Sequence, residues 1–330
     1  MGNNNCLLSI VVPVYNASEF LVPCLDSLVN QDLPESDYEI ICIDDGSTDD
    51  SLKILEDYSK NHTGIKIIAQ ENQGHAAARN TGMSEATGKY IWFVDSDDCI
   101  DEKCFGFIVN TMDENSIDML SIRYVPFVND NEIQTAPKQY IHPTKKTKTK
   151  IACSGIRIFS TELLRENNIV WNAELSPCDD IEFIFFARFN ANNIVYNDSV
   201  SYYHRQRAGS VTKQTTPEYR KKFRRSFYLL ANTYKRELSN PKYSEDQLKK
   251  IEDRKNQCTQ AILMNLAMYE NQETTDKYLD KLKSEGFYPY KKISYNLKPK
   301  ISVKRTLMDW AQYLFPIEGY YKLFYKIIKK

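Results

Sequence analysis

The sequence contains little glycine and no long apolar run. Only 11 of its 330 residues are glycine, which argues against a glycine-rich repeat protein. No stretch approaches the roughly 20 uninterrupted apolar residues that a membrane-spanning helix needs, so no such helix is predicted. The N-terminal MGNNNCLLSI lacks the basic and apolar regions of a secretory signal, and we expect none there. The composition of the whole sequence, 42% hydrophobic and 26% charged, indicates a globular protein.

The eight cysteines show no paired spacing. Cys99 and Cys104 lie close together in the sequence, but no second pair of cysteine or histidine residues completes a zinc site. Cys42 falls within an apolar strand pattern and Cys24 lies on the apolar face of a predicted helix. The sequence therefore predicts reduced cysteines in a cytosolic protein.

The nearly neutral net charge conceals two halves of opposite charge. Residues 211–330 hold 26 Lys and Arg against 13 Asp and Glu, whereas residues 1–210 hold 17 against 31. This asymmetry predicts one domain over 1–210 and a basic, helical region over 211–330. A basic region favours an anionic partner, either a membrane surface or a nucleic acid. We expect no nucleic acid, because no recognised binding module accompanies the charge.

Strand and helix patterns alternate through the first hundred residues. Strands are predicted at 8–14, 38–44, 65–69 and 90–94. Helical patterns lie between them, the third of these at 74–83. Further helices are predicted from Ser160, from Asp179, and after residue 217 with a break near 240. This order predicts an α/β fold with a mostly parallel central sheet flanked by helices.

Three local signals mark turns and helix starts. Asn16 and Glu19 have the spacing of a capping box before the first helix. Ser47 is placed to cap the second helix, and a β-hairpin is predicted within 118–142. Its turn is expected at Asp130 and Asn131.

Polar residues follow three of the predicted strands directly. They are Tyr15 and Asn16 after the first strand, Asp44 and Asp45 at the end of the second, and Asp95, Ser96 and Asp97 after the fourth. Ligands of parallel sheets bind beyond the carboxyl ends of the strands. The sequence therefore predicts a binding site at this edge of the sheet.

In the stretch KYIWFVDSDDCID a predicted strand is followed directly by the three acids Asp95, Asp97 and Asp98. Neighbouring carboxylates raise one another's pKa unless a positive group lies between them. Two carboxylates one residue apart can share Mg²⁺ or Mn²⁺ with a diphosphate. An EF-hand is disfavoured because Cys99 stands where an oxygen ligand belongs. An aspartate-nucleophile phosphatase is disfavoured because it needs an acid two residues before the second Asp of IDDGST, and Ile43 stands there.

Four stretches occur in the order and spacing of one enzyme family. They are SIVVPVYNASEFLVPCLDSLVNQ, EIICIDDGSTDDS, ENQGHAAARNTGM and GKYIWFVDSDD. Over residues 7–210 the chain resembles the family 2 glycosyltransferases. This resemblance implies a GT-A fold and inverting, metal-dependent transfer of a sugar from a nucleotide-diphosphate donor, most simply a UDP-sugar. The acceptor is expected to be a hydroxyl of a glycan or lipid-linked molecule in surface polysaccharide synthesis.

The resemblance also assigns donor-binding residues. Those expected to contact the nucleotide are Pro13, Val14, Tyr15, Asp44, Asp45, Gly74, Arg79 and Asn80. Asp95 and Ser96 are expected beside the ribose and the metal, with Asp97 as the direct ligand of a divalent cation, Mn²⁺ or Mg²⁺. The cation is then the positive partner of the acids and neutralises the leaving diphosphate.

Two later stretches extend the resemblance. SPCDDIEF resembles the family's Glu-Asp-x-x-Phe motif, with Asp179 in place of the glutamate and Asp180 as the expected general base. YYHRQRAGSVT resembles a Tyr-Arg-x-Arg-x-Gly-Ser segment. It implies that Arg205 and Arg207 clamp the diphosphate and that His204 touches the metal or a phosphate.

The C-terminal stretch RTLMDWAQYLFPIEGYYKLFYKIIKK mixes aromatic residues with lysines. Such a segment is typical of one that lies on an anionic membrane, so we expect a peripheral protein on the inner face of the cell membrane. A helix packed on the catalytic domain is the alternative. Two other functions remain open: a metal-dependent nucleotide phosphohydrolase, and a non-catalytic scaffold that binds a nucleotide or a membrane.

Overall fold

The structure is a computed structural model that describes residues 6–133, 153–207 and 216–288. The described residues form two compact units. The first contains residues 6–133, 153–173 and 179–207, and the second contains 174–178 and 216–288. The domain boundary predicted near 210 lies outside the described residues, as does the basic and aromatic segment at 305–330.

The first half of the sheet consists of four parallel strands, β1 Leu8–Val14, β2 Tyr38–Asp44, β3 Ile65–Ala69 and β4 Tyr90–Phe93. Their order in the sheet is β3-β2-β1-β4. The helices between them are α1 Ser18–Val29, α2 Ser51–Asn61 and α3 His75–Glu85. The sequence predicted these strands to within one residue, because each is a mostly apolar run.

The second half of the sheet is mixed. Its strands are β5 Cys99–Ile100, β6 Met119–Phe127, β7 Arg157–Ser160 and β8 Ile194–Arg205. The helices are α4 Phe105–Glu114, α5 Thr161–Glu166 and α6 Asp179–Asn190. Here β7 is antiparallel to β4 and to β6, while β6 and β8 are parallel. The predicted parallel sheet therefore holds for the first four strands, and the eight-stranded sheet as a whole is mixed.

The described part of the predicted hairpin contains β6 and the six residues after it. Over the described residues β6 pairs with β7 and β8, both far along the chain. Asp130–Glu132 form one turn of 3₁₀ helix, and the remainder of the predicted hairpin, 134–142, lies outside the described residues. The alternation of apolar residues predicts a strand, but it does not reveal which other strand that strand pairs with.

Apolar side chains pack on both faces of the sheet. Along β1, Leu8, Ile10 and Val12 join the core beneath α1 and α4, whereas Val11 joins the opposite core beneath α3 and α6. This alternation follows from the two-residue period of a strand. All eight cysteines are free thiols, as predicted.

Gly82 lets α3 approach β1 closely. A methyl group built on Gly82 would lie 2.3 Å from Val11 Cγ1, in a buried strand whose β-branched side chain cannot move aside. We expect Gly82→Ala to lower the free energy of unfolding by about 1–3 kcal/mol from overpacking, offset by up to about 1 kcal/mol of helix propensity. Chemical denaturation measures this difference.

Gly64→Ala is the matched control, because a methyl group at Gly64 meets only ordinary contacts at 3.6 Å or more. If Gly82→Ala and Gly64→Ala both unfold at the wild-type denaturant midpoint, that result would contradict the close packing of α3 on β1.

Two of the predicted helix caps are wrong. The first helix begins at Ser18, and Asn16 lies outside it at φ 46° with its Oδ1 accepting from Thr48 N at 2.8 Å. Ser47 does not cap α2; its Oγ accepts from Asn16 N at 3.1 Å. These side chains join the β1–α1 loop to the β2–α2 loop, a use that local spacing does not reveal. The helix predicted from Ser160 is confirmed: α5 begins at Thr161, and the Ser160 side chain caps it.

The second unit contains three helices: α7 Pro217–Glu237, α8 Glu245–Tyr269 and α9 Gln272–Ser284. The break predicted near residue 240 separates α7 from α8. Inside this unit the buried Arg224 donates to Asn265 Oδ1 at 2.8 Å and forms an ion pair with Glu270 at 2.5 Å. Over the described parts of the chain, no helix combines the length and the apolar character needed to cross a membrane.

Candidate active site

The predicted site residues come together where β1, β2 and β4 end. At the end of β1, Pro13 and Val14 are buried, whereas the Tyr15 side chain is 52% exposed. Of these three predicted donor contacts, only Tyr15 presents its side chain to solvent. This exposure shows that Tyr15 is not a core residue.

Asp45 at the end of β2 is fully engaged by its own chain. Its Oδ1 accepts from Gln70 Nε2 at 2.7 Å and from Gln73 N at 2.9 Å, and its Oδ2 accepts from Gly74 N at 2.7 Å. Gly74 has φ +88°, a conformation that favours glycine, and directly precedes α3. Asp45 therefore holds the loop that leads into α3, and its predicted contact with a nucleotide base stays a prediction.

Asp44 differs from its neighbour in having an unpaired oxygen. Its Oδ2 accepts from Ser47 N at 3.3 Å, but its buried Oδ1 makes no hydrogen bond. A buried carboxylate oxygen without a donor is costly unless a ligand or water supplies one. Of the two acids, Asp44 thus retains capacity for a donor group.

The acids after β4 have positive partners within the protein. Asp95 Oδ1 lies 2.6 Å from Arg79 Nη2, and Asp97 Oδ2 lies 2.7 Å from Arg207 Nε. Burial raises the pKa of Asp95, but the Arg79 guanidinium outweighs this and leaves it below its ordinary value. Burial and the charge of Asp95 raise the pKa of Asp97 above its ordinary value.

Asp98 is structural. It is 1% exposed, and it accepts from Tyr202 Oη at 2.6 Å and from Arg205 N at 2.8 Å. Burial, followed by the charges of Asp95 and Asp97, raises the pKa of Asp98 well above its ordinary value. Tyr202 Oη also accepts from Asp95 N at 3.2 Å, so this tyrosine braces the loop that carries the acids.

The two predicted clamp arginines have different environments. Arg205 is 6% exposed, donates from Nε to Asp97 O at 2.8 Å and pairs with Asp130. The Arg207 side chain is 45% exposed. Arg205 is therefore positioned to shape the acidic loop, and Arg207 is the arginine that solvent reaches.

The acids fit a divalent cation that is shared with a substrate. Among the described residues no group of three or more His, Cys, Asp or Glu side chains is arranged to hold a metal by itself. Asp95 and Asp97 each keep one carboxylate oxygen outside their arginine pairs. Two carboxylates, with the other positions left to phosphate and water, are the donor set that Mg²⁺ commonly uses. His204 acts electrostatically on both acids, and its Nδ1 lies 2.7 Å from Gln206 Nε2.

The first residues of α6, Asp179 and Asp180, lie against the same arginine. Asp179 Oδ2 accepts from His75 Nε2 at 2.9 Å and from Arg79 Nη1 at 3.3 Å. Arg79 itself is 5% exposed, and its guanidinium lies over the Trp171 ring at 4.6 Å. Arg79 thus links the acid after β4 to the N-terminus of α6.

Asp180 is the most perturbed acid of this pair. Its Oδ1 is buried without a hydrogen bond. Burial is the largest influence on it and, with the nearby charges of Asp179 and Asp95, raises its pKa to about 6 although Arg79 acts in the opposite direction. A carboxylate with that pKa and an unpaired oxygen is suited to accept a proton near neutral pH.

Asn80 has a structural contact that the sequence did not suggest. Its Nδ2 donates to Trp171 O and its Oδ1 accepts from Trp171 N, both at 2.8 Å. Its predicted place in the donor wall stays a prediction. Sequence reasoning also missed His75, Trp171 and Tyr202. His75 lies inside ENQGHAAARNTGM, one of the stretches that carry the family resemblance, so the sequence offered a signal for it. No pattern near Trp171 predicts its position beside the Arg79 guanidinium.

Comparison with protein families gives a match over residues 9–167 to the model described as Glycosyl transferase family 2. The poly(ribitol-phosphate) beta-glucosyltransferase of Bacillus spizizenii is 34% identical over 202 residues, 60% of this chain and 32% of that protein. The uncharacterized glycosyltransferase EpsJ of Bacillus subtilis is 31% identical over 219 residues, 63% of each chain. This chain therefore spans about a third to just under two thirds of these relatives.

Solved structures show the same fold. A crystal structure of S. aureus TarS 1-349 in complex with UDP-GlcNAc superposes with a TM-score of 0.61 and 26% identity, over 86% of this chain and 78% of that one. Mannosyltransferase PcManGT from Pyrobaculum calidifontis, in complex with GDP-Man and Mn²⁺, gives a TM-score of 0.51 at 14% identity, over 97% and 86%, and supports the fold alone. The predicted GT-A fold is confirmed.

Proposed function

Because the chain carries a family 2 glycosyltransferase domain, we propose that it transfers a sugar from a nucleotide-diphosphate donor to an acceptor hydroxyl. The acceptor is a glycan or lipid-linked molecule of bacterial cell-surface polymer synthesis. Relatives named as poly(ribitol-phosphate) glycosyltransferases support this class of product. A UDP-sugar is the proposed donor, supported by the similar TarS structure with UDP-GlcNAc.

The observation that carries the proposal is the state of Asp180. Its side chain is partly buried, its Oδ1 is buried without a hydrogen bond, and its pKa is raised to about 6. An acid that only caps a helix accepts hydrogen bonds from backbone N–H groups, and these bonds favour its charged form and lower its pKa. Asp180 has the opposite properties, which are those of a general base.

The proposed reaction needs one proton acceptor and one stabilised leaving group. Asp180 takes the proton from the acceptor hydroxyl while the hydroxyl oxygen forms a bond to the anomeric carbon. The bond from the anomeric carbon to the diphosphate oxygen breaks, and attack from the opposite face inverts the configuration. Arg207 is exposed enough to meet the negative charge that develops on the departing diphosphate.

Asp95 and Asp97 are the residues proposed to hold a divalent cation, with His204 nearby. A bound Mg²⁺ or Mn²⁺ supplies Lewis-acid neutralisation of the diphosphate. Each of these carboxylates is also paired with an arginine, Asp95 with Arg79 and Asp97 with Arg207. Tyr202 and Asp98 hold their loop in place.

A nucleoside diphosphate should stabilise the protein only when a divalent cation is present. We expect UDP with Mn²⁺ or Mg²⁺, at about 100 times its Kd, to add about 2.7 kcal/mol to the folded state. GDP, dTDP and CDP should shift the melting temperature less, and EDTA should abolish the shift. A thermal-shift panel measures all of these combinations.

Asp97→Asn should remove the cation-dependent shift, because it removes the charge of the proposed direct ligand. Asp57→Asn is its control, since Asp57 lies exposed on α2 and pairs only with surface lysines. A shift that survives in Asp97→Asn would exclude Asp97 as the metal ligand. Rapid cleavage of a UDP-sugar without an acceptor would favour a phosphohydrolase, and no shift with any nucleotide would favour a scaffold.

The transfer rate should depend on pH through Asp180. Its carboxyl must be ionised to accept a proton, and its pKa is about 6 in the folded protein. We therefore expect kcat to rise as the pH increases through about 6 and to level off above pH 7. A pH-rate profile at saturating donor and acceptor checks this. A rate that is constant from pH 5 to pH 8 would exclude Asp180 as the base.

A further inference from the structure

Three carboxylates and a single arginine form a partly buried cluster at the site, in which Arg79 and Asp179 are the buried members. Asp95, Asp179 and Asp180 all act electrostatically on Arg79, and two of them form ion pairs with it. One guanidinium offsets one negative charge. When all three acids are ionised, the cluster needs a second positive group.

His75 is the group placed to supply it. His75 is the first residue of α3. Its Nε2 lies 2.9 Å from Asp179 Oδ2, and its side chain is 40% exposed, whereas that of Asp179 is 4% exposed. The other charged groups that act on His75 are Arg79 and Asp95. The hydrogen bond to Asp179 is the largest of these influences and raises the pKa of His75 above its ordinary value.

Arg79 and His75 share one oxygen of Asp179. The arginine contact is long, 3.3 Å, whereas its contact with Asp95 is 2.6 Å. Without the imidazole, Asp179 would have Arg79 as its nearest cation and would draw it away from Asp95. The position of Asp180, the next residue on α6, depends on where Asp179 is held.

We infer that His75 is a positioning residue for the proposed transfer reaction: it holds Asp179, so that Arg79 keeps Asp95 and the Asp180 carboxylate stays free to accept a proton. This inference rests on the proposed function. It assigns no contact between His75 and either substrate. Its chemistry is that of a charged hydrogen bond which fixes a neighbouring side chain.

The test compares His75→Phe, which keeps a planar ring without a donor, with His75→Gln, which keeps a donor without the charge. His75→Phe should lower kcat by about 10- to 100-fold, the cost of losing an outer-shell partner, and should leave the KM for the donor nearly unchanged. The midpoint of its pH-rate profile should move, because the charge balance around Asp180 changes. His75→Gln should recover part of kcat.

His62→Phe is the matched control. His62 also lies near a carboxylate, Glu35 at 3.8 Å, but at the surface and away from the cluster. This variant should retain wild-type kcat and pH profile. The inference is overturned if His75→Phe has the same kcat and pH profile as His62→Phe, or if its only effect is a raised KM for the donor.

A second measurement does not depend on activity. The pKa of His75 is raised in the folded state, so its ion pair stabilises the protein below the ordinary histidine pKa and this stability is lost as the pH rises through the folded value. The melting temperature of His75→Phe should therefore fall furthest below wild type at pH 6 and approach it at pH 9. Equal deficits at both pH values would overturn the pairing. If wild type transfers no sugar but this pH dependence is present, the proposed function fails and the His75–Asp179 pair stands.

Discussion

Asp180→Asn is expected to abolish sugar transfer while leaving the protein folded and able to bind its donor. Asparagine has nearly the same shape as aspartate but cannot accept the proton of the acceptor hydroxyl at neutral pH. Loss of a general base lowers a rate by about 10²- to 10⁴-fold. We expect kcat to fall within that range. A radiolabelled or coupled transfer assay measures the rate, and the nucleotide thermal shift measures binding.

The same substitution should make the protein more stable at neutral pH. Burial and neighbouring charges raise the pKa of Asp180 from 3.8 to about 6 in the folded state. Ionising it therefore costs the folded state free energy, about 3 kcal/mol as an upper estimate. The cost is absent below pH 3.8, grows as the pH rises to about 6, and is complete above that. Asp180→Asn avoids it.

Thermal unfolding at two pH values tests this trade between stability and activity. The melting temperature of Asp180→Asn should exceed that of wild type at pH 7.5, and the two should converge near pH 4. Asp57→Asn, at an exposed position on α2, serves as the control and should show no such gain. An inactive Asp180→Asn that is also less stable at pH 7.5 would indicate that Asp180 is a structural acid.

Arg79→Met is expected to give the largest loss of stability of the substitutions considered for this protein. Methionine fills a similar volume but removes the guanidinium between Asp95 and Asp179. Removing one partner of a buried ion pair costs about 3–5 kcal/mol, because the remaining charges lose their compensation. The contact between the guanidinium and the Trp171 ring is lost as well. Urea denaturation at pH 7.5 measures the difference.

The deficit of Arg79→Met should shrink in acid. The pKa of Asp95 and that of Asp179 lie below their ordinary values in the folded protein. Their pairing therefore stabilises the fold above the ordinary aspartate pKa and is lost as the pH falls through the lower folded values. We expect the difference between Arg79→Met and wild type to be largest at pH 7.5 and to decline below pH 4.

Two variants control for charge and for geometry. Lys66→Met removes a cation that pairs with Glu85 at the surface, and we expect it to cost no more than about 1 kcal/mol. Arg79→Lys keeps the charge but cannot donate to two carboxylates in the fork geometry of a guanidinium, so its loss should be intermediate. If Arg79→Met costs no more than Lys66→Met, Arg79 is not the residue that holds the cluster together.

The strands and helices of the first half of the fold could be predicted from the amino-acid sequence. Runs such as 8–14 and 38–44 are mostly apolar, and acids stand at or directly after the ends of the second and fourth strands. The end of each strand could therefore be placed within one residue, and with it the edge of the sheet that carries Asp44 and Asp95. The caps at Asn16 and Ser47 failed because their side chains serve a partner loop about 31 residues away, which outweighs the local signal.

The balance of charge at the site could not be predicted from the sequence and is visible only in the folded protein. The sequence raised the question of a positive partner for Asp95 and Asp97, and the resemblance answered it with a metal ion. The structure places Arg79 and Arg207 against these acids and His75 against Asp179. Arg207 and Asp97 are about 110 residues apart, and Arg79 and Asp179 are 100 apart. Sequence periodicity describes neighbours within one strand or helix. These pairs form because parallel strands and α6 bring distant segments to one edge of the sheet. A buried charge at that edge is costly unless a group of opposite charge lies beside it.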